Sequence, residues 1–418
     1  MTSPQLHPEN KSSFDFSAIT SRPYAIFGVV IASLLVINQI YYSHVMSSSN
    51  LSSSSSSPSY DLSFTPLVEI LNTRNPGEYS PWKQELYTRL DHMRSKCGVP
   101  CSINSIDDFY KFATRGYPGG TRGSSSTTTT TSSPGIITAD KEPTGSNSEV
   151  RLEVPINCQQ IFELKEIDAG DMTFPPAPPE ELVPLYTLGG SIPVVPNEVL
   201  KSAYLNGNDK LIWTREDVET RKELLKKGEL TGTYGIPETN KIRDFVLNKM
   251  SIYGKSVLVI GSERPWLEAA ALLAGAAKVT TLEYAEIDSQ HPQIDTYTPS
   301  AFRAAYMDGT LGTFDAILSH SSLEHSGLGR YGDALNPWGD ILSLARAWCV
   351  TKEHGQMMLG LPTCSKDAVL WNIHRCYGPI RWPLITMNWV KTDGRDYSYE
   401  ADGIGSAIGV LHAFKKVS

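Results

Sequence analysis

Residues 314–333 read FDAILSHSSLEHSGLGRYGD: an apolar run, Ala316-Ile317-Leu318, breaks into polar residues and then into a loop spaced by Gly327, Gly329 and Gly332. The run has the composition of a buried strand, and the residues after it are too polar and too rich in glycine to continue one. In open α/β sheets ligands sit outside the carboxyl ends of the strands, so polar groups at such an end are presented to something.

A strand needs a sheet, and the residues upstream supply it. Ser256-Val257-Leu258-Val259-Ile260 is a short continuous apolar run that stops at Gly261-Ser262. Trp266 to Ala274 has helical composition, Gly275 is a helix stop, and Val279-Thr280-Thr281-Leu282-Glu283-Tyr284 is a second strand. Strand, helix and strand make one βαβ unit. Glu283 closes the second strand about 20 residues past the first turn, where nucleoside sites place a carboxylate against ribose hydroxyls. Its bland alternative is an exposed strand-end acid. Only Gly261 stands where several glycines usually cradle a ligand, and Pro265 suits the first turn of the helix. The alternative for Gly261 is that it merely turns the chain out of a core strand.

These segments resemble the class I S-adenosylmethionine-dependent methyltransferases. VLVIGS takes the place of their first strand and glycine loop, TLEY that of the acidic second strand, and FDAILSHSSLEH that of the fourth strand. More specifically, GSERPWLEAAALLAGAAKVTTLEY, SSLEHSGLGRYGDALNPWGD and GLPTCSKDAVLWNIHRCYGPIRWP are similar to the family known as domain of unknown function 268, over about Tyr234 to Trp389. The resemblance implies a doubly wound, mostly parallel Rossmann-like α/β sheet. It also implies S-adenosylmethionine as cofactor, held by Gly261, Ser262, Glu283, Ser319 and His320.

Methyl transfer from a sulfonium is an in-line displacement in which the protein aligns donor and acceptor while a nearby base takes the acceptor proton. His325 and Glu324 are the catalytic candidates; alternatively they cap the turn or bond the loop backbone. Arg330 and Tyr331, between glycines, are candidate anion and ring contacts to substrate, with a salt bridge to Asp333 or Asp340 as the alternative for Arg330. Beyond a further strand at Gln356 to Pro362, Asn372, His374 and Arg375 are substrate-contact candidates by the layout of the resemblance, or else stabilisers of an irregular aromatic loop. His320 and His325 are five apart with no accompanying CxxC or HxxxH, so no metal site is expected.

The rest of the chain concerns location. AIFGVVIASLLVINQIYY, residues 25–42, has the length and apolarity of a transmembrane helix and ends in an interfacial Tyr pair. It is longer, and lies further from the start, than the apolar region of a cleaved signal peptide, which is the alternative. Lys11 and Arg22 precede it and no Lys or Arg comes after it until Arg74, so the N-terminus is expected in the cytosol and the remainder in a lumen. The expected organisation is a cytosolic tail (1–24), a signal anchor (25–45) and a Ser-rich stem (46–60) carrying the sequon Asn50-Leu51-Ser52. Next come a small helical region (61–116), a disordered Ser/Thr tract (117–149) and the α/β domain (150–418). Such a layout fits a single-pass type II protein of the Golgi or endoplasmic reticulum.

Within these regions, Trp82 to Met93 and Val218 to Leu230 read as helices, and residues 150–196 as a Pro-rich extended stretch. Six cysteines permit disulfides in a lumen, and Cys97 and Cys101 are close enough to bridge. The net charge of −8 argues against a nucleic-acid partner. The sequence leaves three functions open. One is a membrane-anchored methyltransferase acting on a lumenal glycan or small acceptor. Another is a sugar-modifying enzyme with a nucleotide-activated donor, and the third a binding module that has lost its cofactor.

Overall fold

The computed structural model describes residues 81–97, 113–116, 149–152, 156–165, 175–196, 210–364, 366–393 and 411–417, with 67, 69 and 101 singly. The apolar stretch, the serine stem and the sequon lie outside these residues. Among the described residues no helix is long and apolar enough to cross a membrane.

Seven strands form the main sheet: β1 (Ser256–Ile260), β2 (Lys278–Leu282), β3 (Ile294–Tyr297), β4 (Phe314–His320), β5 (Thr351–Gly360), β6 (Trp389–Asp393) and β7 (Leu411–Lys416). Their spatial order is β6-β7-β5-β4-β1-β2-β3. The β1, β2, β3, β4 and β5 pairings are all parallel, whereas β7 runs antiparallel to both its neighbours. Order reverses between β1 and β4, which is where an open α/β sheet parts its flanking loops and leaves a crevice.

Alternation along the strands explains why both faces are covered. Val257 and Val259 of β1, Ala316 and Leu318 of β4 and Met358 of β5 belong to one apolar cluster, while Leu258 and Ile260, Ile317, and Met357 and Leu359 belong to the other. Three of the flanking helices are α3 (Arg215–Lys227), α4 (Ile236–Lys249) and α5 (Trp266–Leu273), and the first cluster packs against them. The second packs against α6 (Pro299–Met307) and α7 (Gly339–Val350) and continues into two helices from the N-terminal half, α1 (Pro81–Cys97) and α2 (Cys158–Glu163). Thr214 caps α3 by accepting from the Asp217 amide, and Gly228 ends it at φ +78°, so its limits are set by the cap residues rather than by the apolar pattern.

One expectation is corrected. The Pro-rich stretch 150–196 is not extended throughout. Asn157 accepts from the Gln160 amide and starts α2, and Pro184 sits in the first turn of a helix at Val183–Tyr186, where no N–H is required of it. The alternative of an irregular aromatic loop after β5 also fails: Ala368–Leu370 and His374–Cys376 pair antiparallel about a turn in which Asn372 adopts φ +59°. Ala113–Gly116 pairs antiparallel with Glu149–Leu152, which brings together the two flanks of the Ser/Thr tract; the tract itself lies outside the described residues.

All six cysteines are paired. Cys97 bonds Cys101, Cys158 bonds Cys349 and Cys364 bonds Cys376. The second bond fastens α2 to α7, and Phe162 of α2 stacks on Tyr306 of α6 at 3.6 Å.

Candidate functional site

The loop after β1 and the end of β2 are tied to one another through a carboxylate. Glu283 accepts from the Ser262 amide at 2.7 Å through Oε2 and from the Tyr284 amide at 2.6 Å through Oε1. The Ala285 amide is a third main-chain partner, and of the four lone-pair directions of the carboxylate one is left for a ligand hydroxyl. Burial raises the carboxyl above its ordinary range. Behind it lies Glu268 of α5, which sequence reasoning missed. It is fully buried and accepts from the Ser262 and Thr281 hydroxyls at 2.9 and 2.8 Å. Its burial pushes it up to about 7. A single acid in the otherwise apolar WLEAAALL is the signal that could have exposed it.

Gly261, Glu283 and Tyr284 line an open cavity. Leu258 and Ile260 of β1, Phe302 and Arg303 of α6 and Leu342 and Arg346 of α7 form its walls, and Met93, Phe162 and Lys165 reach it from α1 and from in and beyond α2. Gly261 has φ +80°, and a Cβ there would overlap the Cβ and Oγ of Ser322. The close approach this glycine allows is therefore taken by the turn after β4. Glu283 presents an oxygen of the type that would hold a ribose hydroxyl, whereas at Gly261 the backbone is screened by Ser322.

The turn after β4 holds the second group of candidates. Ser321 adopts φ +49°, uncommon for a residue with a side chain. In that conformation its Oγ accepts from the Tyr234 hydroxyl at 2.6 Å and donates to Glu324 Oε1 at 2.7 Å. Glu324 is fully buried and burial pushes it up to about 7. His325 Nε2 lies 3.6 Å from Glu324 Oε1. His325 Nδ1 is 2.5 Å from the Ile373 carbonyl, to which it must donate, so Nε2 is left as the basic nitrogen. Burial, aided by the Arg330 charge, holds this imidazole well below its usual range. His320 is likewise pushed down to about 4 by burial, between the edges of Tyr234 and Trp266. The turn brings together an acid that holds its proton to near neutrality and an imidazole kept neutral, a pairing suited to moving one proton.

Arg330 donates to the Ile373 carbonyl at 3.2 Å and lies over the Tyr331 ring, which meets His325 edge-on at 5.3 Å. It pairs with neither Asp333 nor Asp340. Asp333, instead, accepts from the Gly327 and Tyr331 amides at 2.6 and 3.3 Å and so fixes the glycine loop. His374 lies at 6.3 Å, edge-on, from His325.

The remaining candidates are turned into the protein. The Ser319 hydroxyl donates to the Ile260 carbonyl, and the Asn372 amide to that of Leu328. Arg375 is fully buried and donates to the Ser326 and Asn336 carbonyls. Its neighbour Arg381 holds Asp340 through two contacts of 2.6 and 2.8 Å, and the two guanidinium groups bring that carboxyl down to about 2 against the cost of burial. Among the described residues no group of acidic, His and Cys side chains could hold a metal ion.

Solved structures similar to this chain include three bacterial proteins. A candidate hemolysin from Streptococcus thermophilus is 15% identical, with 46% of this chain and 70% of that one covered and a TM-score of 0.31. A candidate S-adenosylmethionine-dependent methyltransferase from Streptococcus mutans is 14% identical, with 43% and 48% covered and a TM-score of 0.30. A third, of the same description, comes from Listeria monocytogenes and is 11% identical, with 43% and 100% covered and a TM-score of 0.29. All three scores are below 0.5, so the fold assignment rests on the strand order and directions of this chain. No curated protein matches it. The motif resemblance is borne out: residues 254–402, from the turn before β1 past the end of β6, match the family described as "Caenorhabditis protein of unknown function, DUF268".

Proposed function

We propose that this chain is an S-adenosylmethionine-dependent methyltransferase whose sheet domain lies in the lumen of the Golgi or endoplasmic reticulum, held by an N-terminal anchor. Its acceptor is a lumenal glycan or small acceptor. The observation that carries the cofactor assignment is Glu283 at the end of β2, bonded to the loop after β1 and facing a cavity beside the reversal of strand order. The cofactor would supply an electrophilic methyl group. The chain's own part is to orient the nucleoside through Glu283 and to offer Glu324 and His325 to the acceptor's proton. Three disulfides in one domain support an oxidising compartment, consistent with the apolar stretch at 25–42 and the charge asymmetry around it. A net charge of −8 supports the absence of a nucleic-acid partner.

A nucleotide-sugar donor is the second reading, favoured by Lys165, Arg303 and Arg346 on the wall of the same cavity, where a diphosphate would find cations. Calorimetric titration of the full-length chain in detergent with S-adenosylmethionine and, separately, with a uridine diphosphate sugar discriminates the two. Saturable heat with the sulfonium alone supports the methyltransferase. Heat with the sugar nucleotide alone replaces it with a sugar transferase, and heat with neither leaves a fold that has lost its cofactor.

A further inference from the structure

Two polar atoms at the β4 turn are buried without a hydrogen-bond partner among the described residues: His320 Nδ1 and Glu324 Oε2. Buried polar groups are nearly always satisfied, so a pair of orphans within five residues asks for a ligand group. One side chain is linked to both of their residues. Tyr234 meets the His320 ring edge-on at 5.4 Å, and its hydroxyl is joined to Glu324 through Ser321. Tyr234 is itself 38% exposed, so its outer side is surface while its inner side covers the turn.

The segment carrying Tyr234 joins α3 to α4 and is pinned at its start. Asn240 donates to the Gly228 carbonyl and Thr239 to that of Thr231. Thr233 and Tyr234 lie beyond those pins, between Gly232 at φ +59° and Gly235 at φ +88°. A glycine on each side lets the two residues turn without moving α4. The tie that holds Tyr234 inward is the hydroxyl chain to Glu324, and its central member, Ser321, is held at an unfavourable φ.

We propose that Tyr234 is a gate over an acceptor site formed by His320 and Glu324, and that the ligand group it admits is an uncharged hydroxyl. A hydroxyl matches the orphans because one oxygen can donate to one of them and accept from the other, whichever of Glu324 Oε2 and His320 Nδ1 carries a proton. An ammonium can only donate and a carboxylate or phosphate can only accept, so neither serves one proton-bearing and one bare atom together. The rings of Tyr234 and Trp266 meet His320 edge-on and give the turn an apolar surround. This deepens the proposed function by assigning the class of acceptor. It depends on that reading only for the name acceptor, since gate and site stand whether or not a sulfonium binds.

The test is mapping of diethyl pyrocarbonate modification at His320 by mass spectrometry on the full-length chain, with thermal melting as the control for folding. In the native chain His320 should modify slowly. Tyr234→Ala should speed it at least tenfold. Tyr234→Phe, which keeps the ring but cuts the tie to Ser321, should speed it about threefold and so serves if the alanine variant fails to fold. Methyl glucoside or myo-inositol at millimolar concentration should slow modification in the phenylalanine variant, whereas acetate and methylammonium should not. An unchanged rate in the folded variants overturns the gate. Absence of protection by either hydroxylated probe, or equal protection by the ions, overturns the hydroxyl site. If S-adenosylmethionine fails to bind while these rates change as stated, the methyltransferase reading fails and the gate stands.

Discussion

Replacing Glu268 with glutamine keeps an acceptor for the Ser262 or Thr281 hydroxyl, adds an amide that can donate to the other, and removes the ability to ionise. In the folded chain this acid is raised from 4.5 to about 7 by burial, so its protonated form is the one the interior accepts. A group raised in this way contributes stability that is fully present below pH 4.5 and is lost as pH rises through about 7. Integrating between those values gives about 2 kcal/mol more stability at pH 5.5 than at pH 8 from this one residue. The wild-type profile alone will not display it. His320 and His374, each pushed down to about 4, oppose it over the same interval, and Glu324, pushed up to about 7, adds to it. Comparison with Glu268→Gln cancels the contributions of these other groups. Urea unfolding of both full-length proteins at the two pH values, monitored by tryptophan fluorescence, should show the variant gaining about 2 kcal/mol on the wild type between pH 5.5 and pH 8. A gap that stays constant within about 0.5 kcal/mol would refute the reasoning that Glu268 sits in the interior as a proton-holding acid.

Other perturbations rest on the same geometry. Gly261→Ala adds a Cβ into Ser322 at a positive φ and should cost about 2–4 kcal/mol, part of which Ser322→Gly should return; thermal melting of the single and double variants reads both. Cys158→Ser opens a link between residues 191 apart and should lower stability by about 3–5 kcal/mol in the same melting assay, whereas an unchanged midpoint would deny the bond to Cys349. Arg381→Met leaves Asp340 buried beside a more distant Arg375 and should cost about 3–5 kcal/mol by urea unfolding, with little change in cofactor affinity because the pair lies off the cavity.

The βαβ unit was readable because β1 is buried on both faces and so appears as an unbroken apolar run, because β2 is rich in β-branched residues, and because Glu283 falls at the end of that second strand. Glu324 and His325 were readable as polar residues at such an end. Glu268 and Asp333 were hidden for a common reason: their partners, Ser262 and Thr281 in one case and the Gly327 and Tyr331 amides in the other, are set by tertiary packing or by loop geometry that no periodicity encodes. Tyr234 was hidden because it meets Ser321 across 87 residues. Arg375 shows the converse. A cation among aromatics looked like a substrate contact, but it is surrounded by main-chain carbonyls that the loop must satisfy somewhere, and a buried guanidinium offers donors for several at once.

The central claim is that Glu283 holds a nucleoside at the end of β2. Titration calorimetry of the full-length chain with S-adenosylmethionine, wild type against Glu283→Gln, tests it most directly, with melting curves to show that both are folded. Loss of one ribose acceptor at a buried carboxylate should weaken binding by about 1–3 kcal/mol, a factor of about 5 to 150 in Kd. Equal affinity in the two proteins would contradict the claim.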